Sequence, residues 1–195
     1  MNNLIEKLEQ FNAFFLIAHP IKVNLKPASA ADAEQSMAEF EQSMPYAFRI
    51  SSHMSDIESK ALRPFRSMGE KFDELVEYLQ LQAQKMDLMM SYILQQQDEE
   101  AYRHTAVKFG GGGVVVQQSH AVEIGEYAII KLFLENEAAA IYCIAQAIVC
   151  EQTQDNEALF EVSYAYVRIR EEDQELLVRA SLHLQTAQLR KNQNT

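Results

Sequence analysis

The amino-acid sequence predicts an α+β protein: a small antiparallel β-barrel with a long inserted helix and a C-terminal helix. Three features of the 195 residues support this class. Residues 55–104 carry a heptad repeat with almost no strand or turn signal, residues 105–169 read as antiparallel strands, and residues 172–189 have the apolar spacing of an amphipathic helix. With 48% hydrophobic residues, the chain can bury a core as one domain.

The first 54 residues predict helices and strands that contribute to the barrel. A short opening helix is indicated by apolar residues at helical intervals, namely Leu4, Ile5, Leu8 and Phe11. A half-buried strand is indicated by apolar residues that alternate with polar ones, namely Ile21, Val23 and Leu25.

A second helix and a second strand follow in this N-terminal region. Ser29 and Asp32 have the spacing of a capping box and predict a short helix that ends before Pro45. A strand is then predicted by the alternating side chains of Tyr46, Phe48 and Ile50. Arg49 would lie on this strand.

Residues 55–104 predict one long helix that begins at a capping box of Ser55 and Glu58. Its apolar side chains step by three and four, which is the a and d spacing of a coiled coil. Pro64 lies near the start, where it would kink the helix before the seam begins. The predicted seam consists of Phe65, Met68, Phe72, Leu75, Leu79, Gln82, Met86, Met89 and Ile93.

The length of this seam predicts self-association. At 1.5 Å per residue the seam extends over roughly 45 Å, which is more than a small barrel can cover. The alternative is an amphipathic helix that lies on its own domain. Phenylalanine is bulky for the a positions of a two-stranded coiled coil, so its presence favours an assembly of more than two helices. Gln82 would supply a polar layer that fixes the register of these helices.

Four consecutive glycines, Gly110 to Gly113, interrupt the strand signal that follows the helix. Glycine permits a bulge, a positive φ or a close approach of two backbones, and a tight strand bend is the simplest interpretation. Further strands are predicted at 127–134, 139–149 and 160–169, a meander that can close into a barrel. The final helix would place on the sheet the side chains of Leu177, Ala180, Leu184 and Ala187.

The charge balance excludes a broad surface for nucleic acid. The chain has 28 acidic and 17 basic residues, and its net charge of -11 disfavours contact with phosphates. The longest apolar runs, at 14–18 and 138–145, are far shorter than the roughly 20 residues of a membrane span. The first residues also lack the basic segment of a signal peptide. We therefore expect a cytoplasmic protein without membrane insertion.

No residue pattern predicts catalysis or metal binding. Cys143 and Cys150 are seven residues apart on a predicted strand, so their side chains would point to opposite faces. The five histidines share no spacing typical of metal ligands. The sequence contains no serine nucleophile elbow, phosphate-binding loop or HExxH motif. We expect a noncatalytic protein with no metal and no resident cofactor.

The stretch from Lys108 to Arg190 resembles the PilZ domain, the bacterial receptor module for cyclic di-GMP. The similar segments are FGGGGVVV, EIGEYAIIKLFLENE, AAIYCIAQAIV and FEVSYAYVRIREEDQELLVR. The resemblance implies a PilZ-like β-barrel and helix over 105–195, to which the strand at Arg49 would add the first barrel strand. The heptad helix ahead of the glycines looks like the atypical tetrameric subgroup, in which long helices join four chains through a coiled coil.

The resemblance also implies where a nucleotide would bind. PilZ domains that bind cyclic di-GMP use an R-x-x-x-R pair, whose planar guanidinium groups match phosphate and stack on bases, followed by D/N-x-S-x-x-G. No two arginines have this spacing here, and Arg49 stands alone. The second motif aligns with residues 108–113, where Lys108 and Gly110 replace the conserved polar residues and only Gly113 matches. The degenerate candidates are Arg49, Lys108, Gly110 and Gly113.

Two functions are consistent with these features. The first is a noncatalytic adaptor in cyclic di-GMP signalling, a homo-oligomer and by resemblance a tetramer, which presents several barrels to a protein partner in signalling or motility. The degenerate motifs and the negative charge argue against nucleotide binding by this chain. The alternative is a genuine cyclic di-GMP receptor with a non-standard basic site, for which the candidates are Lys22, Lys26, Arg49 and Lys108.

Overall fold

The computed structural model describes residues 2–62, 73–153 and 158–193. The helices are α1 (Asn2–Asn12), α2 (Ala30–Glu34), α3 (Met37–Ser43), α4 (Tyr46–Leu62), α5 (Asp73–Gln95) and α6 (Glu171–Gln193). The strands are β1 (Leu16–Ala28), β2 (Arg103–Gly110), β3 (Gly113–Gln118), β4 (Tyr127–Leu134), β5 (Ala139–Gln152) and β6 (Phe160–Arg168). Short 3₁₀ turns precede β2, at Glu100–Tyr102, and β5, at Glu135–Glu137.

Within the described residues, the six strands close into an antiparallel barrel in the order β1-β2-β3-β6-β5-β4. The first half of β1 pairs with β2 and its second half pairs with β4, so that this one strand closes the barrel. Closure leaves no unpaired strand edge, which removes the usual route to edge-to-edge aggregation. The predicted antiparallel barrel is confirmed.

The barrel interior is filled by alternating apolar side chains of all six strands, and α6 closes one end of it. Leu177 of α6 is fully buried, and Ala180 lies beside it in the same cluster. The C-terminal helix is therefore confirmed. The fully buried strand residues of this core include Val23, Phe109, Val114, Val116, Ile130, Leu132 and Ile141.

The capping box predicted at Ser29 is present. The Ser29 hydroxyl accepts from the backbone N–H of Asp32 at 3.2 Å, and the Asp32 carboxylate accepts from the Ser29 N–H at 2.8 Å. The same pair of bonds recurs at Ser36 and Glu39. The region before Pro45 therefore folds as two short helices, α2 and α3, each with its own N-terminal cap.

The strand predicted at 46–51 is wrong, because these residues begin α4. Phe48 is fully buried, with its ring centroid 6.1 Å from that of Tyr142 on β5. Strict alternation would place Tyr46 on the same face, yet Tyr46 is 69% exposed. Pro45 directly precedes the helix, where its missing N–H costs no hydrogen bond. The first barrel strand is β1, and Arg49 lies on a helix.

The predicted helical insertion ahead of the glycines is confirmed, but the prediction of one continuous helix is wrong. Met54 of α4 and Met90 of α5 line the same two cavities. A single helix would hold them roughly 54 Å apart at 1.5 Å per residue. Because Tyr46 at the start of α4 and Ile93 near the end of α5 line the same cavity, the two helices are antiparallel neighbours. Both helices are amphipathic, so the apolar periodicity does not reveal that the chain reverses direction between them. The predicted boundary between the N-terminal region and the long helix, at residue 54, falls inside α4.

A buried asparagine joins the end of the insertion to the barrel. Asn24 on β1 is 1% exposed. Its Nδ2 donates to the Asp98 carboxylate at 2.9 Å and to the Glu99 carbonyl oxygen at 3.2 Å, while its Oδ1 accepts from the Glu99 N–H at 2.8 Å. These bonds hold the segment after α5 against β1, and thereby set where the helix pair leaves the barrel.

Candidate ligand site and assembly surface

Gly110 to Gly113 form the tight connection from β2 to β3. None of these four glycines has a positive φ, which among the described glycines occurs at Gly125. The backbones instead approach closely. A Cβ atom built on Gly110 would lie 2.1 Å from the carbonyl oxygen of Phe15, and one on Gly113 would lie 2.2 Å from that of Tyr164. The sequence left open a bulge, a positive φ or a close approach of two backbones. The structure shows the close approach of two backbones.

Residues of the same chain cover this connection. The backbone and ring of Phe11, at the end of α1, lie against the Gly112–Gly113 half, and the ring of Phe14 lies against Gly111. From the other side, Gln174 of α6 donates its Nε2 to the Gly111 carbonyl oxygen at 2.8 Å. The segment that aligns with the second nucleotide motif is thus packed between α1, the α1–β1 connection and α6.

The two basic candidates of the nucleotide site lie on opposite walls of the barrel. Lys108 is exposed on β2, with its Nζ 3.9 Å from a carboxylate oxygen of Glu161 on β6. Arg49 lies on α4, which packs on β5, and its guanidinium carbon is 5.4 Å from the ring centroid of Tyr46. Because β2 and β5 are three strands apart in either direction around the barrel, Arg49 and Lys108 do not face one ligand.

The lysines of the alternative basic site already have carboxylate partners. The Nζ of Lys22 lies 3.6 Å from Asp98 and 3.8 Å from Glu135. The Nζ of Lys26 lies 2.5 Å from Glu99 and 4.7 Å from the ring centroid of Tyr102. An anionic ligand would have to displace these acidic side chains from the lysines before it could bind them.

The neighbouring cationic side chains keep the carboxylates of Asp98 and Glu99 ionised. Burial raises the pKa of Asp98, but hydrogen bonds from Arg103 and Asn24, with the neighbouring positive charges, outweigh burial and lower this pKa overall. The pKa of Glu99 is lowered by hydrogen bonds from lysines, the largest from Lys131. At neutral pH both acids therefore remain charged and hold their cationic partners.

The predicted seam lies on a part of α5 that its own barrel does not cover. The positions outside the described residues are Phe65, Met68 and Phe72. The positions on α5 are Leu75, Leu79, Gln82, Met86, Met89 and Ile93. The side chain of Met89 is 67% exposed, and that of Met86 is 58% exposed. The face of α5 that packs on the barrel is a different one, marked by buried Met90 and Leu94.

Helix α4 supplies the second wall of a groove along the seam, which we call the α4–α5 groove. Its volume is about 720 Å³. Its described lining residues include no charged side chain; they are Tyr46, Ala47, Ile50, Met54, Met86, Met89, Met90, Ile93 and Gln97. Methionine is flexible and adapts to the shape of a bound surface. Contiguous exposed apolar surface is where proteins commonly contact their partners.

A further apolar stripe on α5 was missed in the sequence. This outer stripe consists of Tyr78, Leu81, Leu88 and Tyr92, all of which are exposed. Its spacing of three, seven and four, with Lys85 in the gap, is as regular as that of the seam. The signal was therefore present, but the heptad assignment considered the a and d positions of the seam, and the stripe falls on the g and c positions. The α4 wall of the groove was missed because a strand was predicted there.

The described part of the chain holds neither a cluster of possible metal ligands nor a helix that could span a membrane. No group of three or more histidine, cysteine or acidic side chains in this part of the chain is placed to hold a metal ion. Among the helices of the described ranges, none has both the length and the apolar composition needed to cross a membrane. Cys143 is buried in the barrel, where desolvation raises the pKa of its thiol well above the ordinary value.

Replacing Gly113 by alanine should destabilise the barrel, because its new Cβ would overlap the Tyr164 carbonyl oxygen and the Phe11 ring. We expect a loss of about 2–3 kcal/mol, the usual cost of overpacking a rigid site. Urea unfolding measures it as a lower midpoint at an unchanged m-value. Ser119→Thr, which adds a methyl group at an exposed position, is the control. Equal stability of Gly113→Ala and the wild type would contradict the close packing.

Comparisons of the sequence with protein-family models and with characterised proteins find no match. The fold, however, is similar to solved structures. One from Xanthomonas campestris, described as a tetrameric PilZ domain self-assembled via an unusual helical bundle, has a TM-score of 0.56 and 10% sequence identity, with 97% of this chain and 99% of that chain covered.

Two further structures match parts of the chain. The inhibitor of motility MotI/DgrA of Bacillus subtilis has a TM-score of 0.41 at 18% identity, over 44% of this chain and 42% of that chain. The PilZ domain of Escherichia coli YcgR, solved with c-di-GMP, has a TM-score of 0.38 at 15% identity, over 48% of this chain and 79% of that chain.

The match to the Xanthomonas structure carries the structural conclusion, because it extends over almost the whole of both chains. It includes the helices as well as the barrel, since 97% of this chain is covered. At 10% identity the likeness lies in the architecture rather than in individual residues. This chain has the fold of PilZ domain proteins.

Proposed function

We propose that this protein is a noncatalytic adaptor of a cyclic di-GMP pathway that assembles several copies through its helical insertion and does not bind the nucleotide itself. The observation that carries the proposal is the exposed apolar surface of α5, which α4 and the barrel leave uncovered. In this account the barrel serves as a scaffold, and the helices bring several scaffolds together.

The packing of the segment that aligns with the second nucleotide motif supports the proposal that the chain does not bind the nucleotide. The connection from Gly110 to Gly113 is packed against Phe11 and Phe14, and Arg49 lies on the opposite wall from Lys108. A net charge of -11 also gives a doubly anionic ligand no long-range attraction. Any binding would depend on local donors, and charge attraction from these would reach only about 8 Å at physiological salt.

The exposed helix surface supports self-association. Monomeric soluble proteins rarely expose apolar patches larger than a few hundred Å². The likeness to a structure described as tetrameric through a helical bundle points the same way. Assembly would raise the avidity for a partner that carries several binding sites, without any new contact in the barrel.

The charge of the chain narrows the kind of partner. With 28 acidic against 17 basic residues, the assembled protein would repel an acidic surface and accept a neutral or basic one. We place this activity in the cytoplasm, with a protein of a signalling or motility system as the partner.

Titration calorimetry with cyclic di-GMP tests the ligand side of the proposal. We expect no binding heat, because the basic groups are either dispersed around the barrel or paired with acids. Binding at micromolar nucleotide would contradict the proposal and favour the receptor function. In that case Lys108→Ala, which removes an exposed cation, would show whether the aligned segment takes part.

The double substitution Leu75→Asp with Met86→Asp tests the assembly side. Both positions are exposed in the single chain, so the variant should fold, while two carboxylates in an apolar contact should weaken assembly roughly 100-fold or more. Sedimentation velocity should show a smaller species than the wild type. The control is Gln80→Asp with Gln84→Asp, which adds the same charge on another exposed face of α5. An unchanged mass for the seam variant would contradict the proposal.

A further inference from the structure

The α4–α5 groove and the outer stripe are two different apolar surfaces on one helix pair. Successive residues of an α-helix are rotated by about 100°, so the outer stripe is centred about 100° from the seam that lines the groove. It is opposite the face that carries Met90 and Leu94 and packs on the barrel. Within one chain the stripe therefore cannot enter the groove, and none of the residues that the structure describes covers either surface.

We propose that the chain assembles by placing the outer stripe of one copy in the α4–α5 groove of another. This rests on the proposed self-association and states which surfaces meet. The predicted seam thus does not pack on the same seam of a second copy. The groove built from the seam and α4 receives a different face of the partner helix.

The two surfaces are chemically complementary. In the part of the chain that the structure describes, the groove is lined by no charged side chain and by four flexible methionines. The stripe supplies two leucines, which fill apolar space, and two tyrosines, whose rings are apolar and whose hydroxyl groups can remain at the wet edge of the contact. A row of side chains at intervals of three and four forms a ridge of the kind that packs into a groove between helices.

The area of exposed apolar surface favours a second copy as the occupant of the groove. Tyr78 and Tyr92, which are 57% and 64% exposed, together contribute roughly 200–300 Å². This is already close to the largest apolar patch expected on a monomer. Every copy carries both surfaces on one helix, so a pair can bury two such contacts at once and form a closed, symmetric assembly.

The charge of the chain predicts an unusual salt dependence for this contact. Two copies of net charge -11 repel each other, and the described lining of the groove holds no carboxylate that could form an ion pair with Lys85 in the gap of the stripe. Screening of the repulsion should tighten assembly as the salt concentration rises. An interface held by salt bridges would show the opposite trend.

A mixing experiment with two variants tests the proposed contact. The stripe variant is Leu81→Glu with Tyr92→Glu, and the groove variant is Tyr46→Glu with Met89→Glu; all four side chains are exposed in the single chain. Each variant alone should weaken assembly at least tenfold in sedimentation velocity, with unchanged circular dichroism. Mixed together they should regain a larger species, because one intact stripe and one intact groove remain in each mixed pair.

The controls separate this proposal from self-association in general. Gln80→Glu with Gln84→Glu adds equal charge elsewhere on α5 and should assemble like the wild type. If the stripe variant assembles normally while Leu75→Asp with Met86→Asp does not, self-association stands but the stripe–groove contact is wrong. A mixture that stays as small as its components also overturns the contact, and a wild type that is a single chain overturns both proposals.

Discussion

The structure depends on one constraint: α5 is apolar around more of its circumference than the described residues of its own chain cover. Buried Met90 and Leu94 face the barrel and the α4 side, whereas Met86, Met89 and Tyr92 remain exposed. A helix that is apolar on several faces is stable in water only when those faces are buried. Among the described residues the barrel does not bury them, and α4 forms one wall of the open groove. In the proposed assembly, sister chains bury the remaining surface.

The connection from Gly110 to Gly113 has a packing role in this PilZ fold, although the nucleotide motifs of the family are degenerate in the sequence. The four glycines resemble part of a nucleotide-binding segment. Here they leave room for the backbone and ring of Phe11 and for the ring of Phe14. The same lack of side chains that would let a ligand approach lets α1 approach instead. The fold therefore indicates shape, and the residues that occupy the site decide whether a ligand can bind.

The sequence was informative wherever one physical preference acted alone. The capping box at Ser29, the apolar runs separated by turns after residue 127 and the apolar face around Leu177 each predicted the observed element. It misled at Tyr46, where a short alternating run lies on a helix whose buried side depends on the Phe48 contact with Tyr142. Tertiary packing outweighed local pattern there, as is common for short runs.

The candidate site was predictable only in part for the same reason. Degenerate motifs could be read from the sequence, but the placement of Arg49 and Lys108 on opposite walls depends on the strand order of the closed barrel. The groove was hidden because one of its walls, residues 46–54, belongs to a helix where the sequence pattern predicts a strand and then the start of one continuous helix. Asn24, which attaches the insertion to the barrel, had no signal beyond a polar residue in a strand.

The most direct test of the central claim is the mass of the wild-type protein, measured by static light scattering during gel filtration. If the uncovered faces of α5 are buried by sister chains, the mass should be a multiple of 22.3 kDa and should persist on dilution. A particle of 22.3 kDa at every concentration would contradict the account, because the apolar faces of α5 would then be stable in water without a partner.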